Sequence, residues 1–167
     1  VNDEKAFRTY VGVPENDSSN KIAVAYNSAL STLHINNPFI AAGIAIDDKR
    51  DDIIPLTIGD SVNGVVSWTN TSGLTITNPT FTLALSGASI DTSSISAPQS
   101  YYNQLERTIT WTPDSDPRLS SIAPGEGGEF VFGFNTVDPS ITTGDITLGL
   151  SVAGQFPERD NLEQSID

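Results

Sequence analysis

Asp47-Asp48-Lys49-Arg50-Asp51-Asp52 places four carboxylates within one short stretch. Hard oxygen donors at such density suit a hard divalent cation, so Asp47, Asp48, Asp51 and Asp52 are the candidate Ca²⁺ ligands. Lys49 and Arg50 sit inside the stretch and offset its charge, and the spacing is not that of an EF-hand loop. The competing reading is a solvated acidic loop. Asp114 and Asp116 form a second Asp-x-Asp pair in a Pro-rich segment.

Other chemistry is poorly served. The chain has one histidine and no cysteine, which removes thiolate nucleophiles, disulfides and multi-His zinc sites. That histidine, His34, lies in the alternating stretch Leu33-His34-Ile35 and reads as an outward strand residue. No nucleophile elbow, phosphate loop or dinucleotide fingerprint is present. Glu126 follows Pro124-Gly125 and is expected to brace a turn, not to act as an acid. No catalytic residue and no organic cofactor is therefore expected, and the chain reads as a non-enzyme.

Eight basic against twenty-one acidic residues give a formal charge of −13. Phosphate recognition needs a basic patch, so nucleic acid and anionic membrane surfaces are excluded as expected partners. An acidic surface mainly maintains solubility. No run approaches the roughly eighteen apolar residues of a spanning helix. The chain starts Val1-Asn2-Asp3 without methionine, which reads as a processed chain or a piece of a longer one whose export signal or anchor lies elsewhere.

The elements that would position these residues are strands. Ile40, Ala42, Ile44 and Ile46 alternate, as do Val62, Gly64, Val66 and Trp68, then Phe81, Leu83 and Leu85. Ile109 and Trp111 follow, then Phe130, Phe132 and Phe134, and finally Ile146, Leu148, Leu150 and Val152. A period of two buries alternate side chains on one face. Trp68, Trp111 and the three phenylalanines are thus the expected core, with Pro124-Gly125 as the tight turn before the phenylalanine strand. Ile53–Ile58 reads as a short edge strand, and Gly87–Gln104 as a long polar connection. The fold class expected is all-β: an immunoglobulin-like Greek-key sandwich of about seven antiparallel strands. Residues 36–156 form it. Residues 1–35 read as an N-terminal extension or the closing strand of a preceding domain, with β-prone pieces around Phe7–Val13 and Ile22–Tyr26. Residues 157–167 read as a C-terminal linker. Asn16-Asp17-Ser18 is a glycosylation sequon that more simply marks a turn.

Gly59-Asp60-Ser61-Val62 through Asn70-Thr71-Ser72-Gly73, then Thr108-Ile109-Thr110-Trp111, then Leu119 through Pro124-Gly125-Glu126 ahead of an aromatic strand, form an ordered set. In order and spacing the set resembles the conserved-repeat, immunoglobulin-like domains of large multidomain bacterial surface proteins. The likeness spans about residues 36–155. It implies a non-catalytic structural or spacer module, extracellular and at the cell surface. The implied partners are neighbouring domains of the same polypeptide and no direct membrane contact. The alternative is an adhesin or carbohydrate-binding module that uses its loops against a cell-surface ligand or glycan. For that alternative Tyr101 and Tyr102 are the candidate stacking residues, because in a strand one of two adjacent tyrosines faces outward.

Overall fold

A computed structural model describes residues 2–14, 22–36, 38–139, 144–156 and 159–166. It divides into two compact units, Val1–Asn37 and Pro38–Asp167.

In the first unit β1 (Asn2–Pro14) and β2 (Ile22–Asn36) pair antiparallel, from Asn2 opposite Asn36 to Pro14 opposite Ile22. The two β-prone pieces are therefore longer than expected and bond to each other. His34 lies in β2, with its side chain outside the described residues, as does the sequon at Asn16.

The second unit holds β3 (Ile40–Ile46), β4 (Ser61–Asn70), β5 (Ile76–Ser86), β6 (Ile90–Ser96), β7 (Tyr101–Asn103) and β8 (Thr108–Trp111). A 3-10 turn at Pro117–Ser120 leads to β9 (Ser121–Ile122), β10 (Gly127–Thr136), β11 (Thr147–Phe156) and β12 (Arg159–Ile166). One sheet runs β3-β4-β10-β6 and the other β12-β11-β5-β8-β7, with β9 paired to β5. Every pairing is antiparallel. The chain changes sheet between β4 and β5 and again between β10 and β11. This is the immunoglobulin-like Greek-key sandwich, four strands against three, with the β7–β8 hairpin added beside β5.

The core follows the alternation. Val62, Val66 and Trp68 of β4 face Phe81, Leu83 and Leu85 of β5, and Phe130, Phe132 and Phe134 of β10 are all buried. Phe130 is the centre of an aromatic group. Trp111 stacks on it with centroids 4.8 Å apart at 12°, Trp68 lies at 5.8 Å and 30°, and Phe81 meets it edge-on at 5.1 Å. Each such pair adds about 0.5–1.5 kcal/mol beyond simple burial. Gly64 stands opposite Phe132 in the β4–β10 ladder, and Gly128 opposite Trp68. A Cβ at Gly64 would run into the Phe132 ring. The missing side chain is what lets the ring lie flat across the neighbouring strand.

Three expectations are corrected. Ile53–Ile58 is not a strand: Pro55 has no N–H to give a ladder, and the segment is tied down by Thr136, whose hydroxyl donates to the Thr57 carbonyl at 2.7 Å. Gly87–Gln104 is not one connection but contains β6 and β7. Both are edge strands, with one flank in solvent, so their polar residues hide the strand pattern. Finally, Arg159–Ile166 is not a linker segment: it pairs with β11 from Phe156 opposite Arg159 to Leu150 opposite Ile166. With ten strands among its described residues, this unit exceeds the expected seven through such short and edge elements.

Candidate functional site

The acidic stretch breaks into two parts. Asp47 and Asp48 have φ of +46° and +65°, and Ile46 and Lys49 exchange two main-chain hydrogen bonds of 2.9 Å around them. This is a type I′ turn, and Asp is among the few residues that tolerate both central positions. The Asp47 carboxylate accepts from the Asn63 amide at 3.2 Å, so it is occupied in holding the turn to β4. Asp51 and Asp52 lie instead at the rim of a cavity. Among the described residues no group of three or more Asp, Glu, His or Cys is gathered closely enough to hold a metal ion. The four carboxylates proposed for Ca²⁺ are thus not brought to one point.

Asp116 is the structural member of the second pair. Its side chain is 1% exposed and bonds Arg118 through Nη2 at 2.6 Å, through Nε at 3.0 and 3.1 Å, and through the main-chain N–H at 3.1 Å. It caps the 3-10 turn at Pro117–Ser120. The hydrogen bonds from the Arg118 side chain hold its carboxyl below the ordinary value, against the opposing effect of burial.

Glu126 braces a turn, as expected. Its Oε2 accepts from the Ala123 amide at 2.7 Å, while the Glu126 amide donates to the Ala123 carbonyl at 3.0 Å. With Pro124 second and Gly125 third at φ +78°, this is a type II turn. Trp68 and Trp111 are core residues whose Nε1 atoms are buried without a hydrogen-bond partner. The adjacent tyrosines divide as their alternation requires. Tyr101 is 67% exposed on the edge strand β7, and the hydroxyl of Tyr102 is buried.

The feature sequence reasoning missed is a cavity of about 330 Å³ between the two sheets, on the flank bounded by β3 and β11. Ile44 and Ile46 line it from β3, Phe134 from β10, Leu148 from β11, and Leu56 from the segment that crosses the flank. The signal was present in the alternation of Ile54 and Leu56, both partly buried against the core. It was taken for an edge strand because periodicity does not distinguish a strand from an extended plug.

No protein-family model and no curated protein matches this chain. Among solved structures it is similar to an exo-β-N-acetylglucosaminidase from Vibrio harveyi, at TM-score 0.47 and 10% identity over 78% of this chain and 18% of that one. It is similar to the Mu homology domain of Danio rerio Fcho1 at 0.45 and 12%, over 79% and 46% of the two chains. The C-terminal domain of the Streptococcus pyogenes antigen I/II-family protein AspA gives 0.45 and 10%, over 85% and 50%. The chain thus spans half or less of each of these structures. All three scores fall below 0.5, and these likenesses assign neither a family nor an activity.

Proposed function

We propose that the second unit is a non-catalytic structural module of a larger cell-surface protein, serving as a spacer that projects other domains. The observation that carries this reading is the direction of its first and last strands. Phe39, just before β3, packs its ring on Phe156 at the end of β11, with centroids 6.1 Å apart. β3 sets out from this pole, and β12, starting opposite Phe156, runs from the same pole toward the other. A module entered at one pole and left toward the opposite one suits an in-line array. The resemblance to conserved-repeat surface domains supports the same reading.

The second reading, an adhesin or carbohydrate-binding module, is favoured by one residue, the exposed Tyr101 on β7, since an exposed ring can stack on a sugar. Antibody labelling of intact producing cells together with a glycan array separates the two. The spacer reading expects surface labelling and no saturable glycan binding. Saturable binding that disappears in Tyr101→Ala overturns it in favour of the second, and absence of label from intact cells removes both.

A further inference from the structure

The flank between β3 and β11 combines three features that no spacer role uses. β12 pairs with β11 only between Leu150 and Phe156, whereas β5 pairs with β11 from Thr147. Thr147, Leu148 and Gly149 are thus flanked by a strand on one side only among the described residues. Open edges are ordinarily guarded by Lys, Pro or a bulge; Thr147-Leu148-Gly149 has no Lys or Pro, and the register shift of β11 falls further on, between Ala153 and Gln155. Directly beside this interval opens the apolar cavity of about 330 Å³, lined there by Leu148 and by Ile44 and Ile46 across the gap. At its rim stand Asp51 and Asp52, both exposed.

We propose that this flank is a docking slot for an added strand: an extended peptide segment of a partner protein that alternates apolar residues with Lys or Arg. Each part of the occupant answers one observation. The main-chain groups of Thr147–Gly149 that face away from β5 require an extended backbone, which supplies their hydrogen bonds as in other strand additions. The cavity takes an apolar side chain from the face of that strand turned toward the core. The Asp51 and Asp52 carboxylates select cationic residues beside it, and the charge of −13 on the whole chain raises the encounter rate of a cationic segment. A small organic ligand would fill the cavity and leave the sheet edge unused. This inference stands independently of whether the module serves as a spacer.

The test uses the full chain and a blocked seven-residue peptide alternating Lys and Leu, followed by NMR and amide hydrogen exchange. Saturable binding is expected, with shifts confined to β3, the 51–56 segment and the start of β11, and with slowed exchange within Thr147–Gly149. Asp51→Asn combined with Asp52→Asn should weaken binding roughly threefold to tenfold and flatten its salt dependence, as loss of two rim charge pairs predicts. These two carboxylates are exposed, so the variant keeps the fold. The same peptide N-methylated on alternate amides should not bind. Equal binding of the N-methylated peptide, or shifts spread over the acidic surface, would overturn the slot. Self-association of the chain through this flank that the peptide cannot displace would give it to a second copy and equally overturn the proposal.

Discussion

The side-chain amide of Asn70 donates to the main-chain carbonyl of Ile122 at 3.0 Å, joining positions 52 residues apart. The same Nδ2 donates to the Leu74 carbonyl at 2.9 Å, and Oδ1 accepts from the Ser72 amide and hydroxyl at 2.9 and 2.7 Å. The main chain of Asn70 exchanges bonds with Gly125 and Glu126. One side chain, 1% exposed, thereby ties the β4–β5 turn to the strand ahead of β10. Both of its polar atoms are used and none could be water-bound at that burial.

Asn70→Ala should therefore cost about 2–4 kcal/mol, because two buried carbonyls lose their donor at roughly 1–3 kcal/mol each with partial relief. Asn70→Asp should cost at least as much, since it turns the donor into a charge facing two carbonyl oxygens. Urea unfolding with an unchanged m-value checks both.

Gly64 and Phe132 form a second testable pair. Phe132→Ala should destabilise by about 3–5 kcal/mol. Gly64→Ala should cost about 1–3 kcal/mol by forcing the ring aside. In a Phe132→Ala background the Gly64→Ala cost should largely vanish, since the atom it strikes is gone. A double-mutant cycle measures that coupling, and additive costs would mean the ring does not lie across Gly64.

Gly125→Ala tests backbone strain alone. A Cβ there meets nothing within 4 Å, yet φ is +78°. The expected loss is about 1–2 kcal/mol, the cost of left-handed backbone for a residue with a Cβ. Thermal unfolding should show it as a fall in Tm.

Asp116 sets an acid dependence. Its folded pKa lies below the ordinary value of 3.8. Its stabilising contribution is therefore complete above the unfolded value and is lost as pH falls from about 4 through the depressed folded value. Asp116→Asn should be less stable than wild type at pH 7, with the gap narrowing below pH 4. A gap constant from pH 7 down to pH 2 would refute the linkage.

How much of this was written plainly in the sequence depended on how many flanks of a strand are buried. Phe130, Phe132, Phe134 and Trp111 lie in strands covered by the opposite sheet, so alternation alone placed them. β6, β7 and β12 have a neighbour on one side only, and their Ser, Thr, Asp and Glu residues serve an edge that must stay soluble. Their pairing is a main-chain matter that side chains do not announce. The acidic stretch was legible as a turn-rich loop but not as two separate structures, because the left-handed pair Asp47-Asp48 turns the chain before Asp51 is reached. The flank cavity left no trace of its own, since it arises where β12 stops short of the start of β11.

The buried indoles have an optical consequence. Trp68 and Trp111 are the chain's two tryptophans, both packed around Phe130 with their Nε1 atoms away from any protein acceptor. Their emission should be blue-shifted in the folded state and move to longer wavelength together on unfolding. Because both report on the same aromatic group, the native light of this protein is a gauge of one place: the centre of the sandwich, where its two sheets meet.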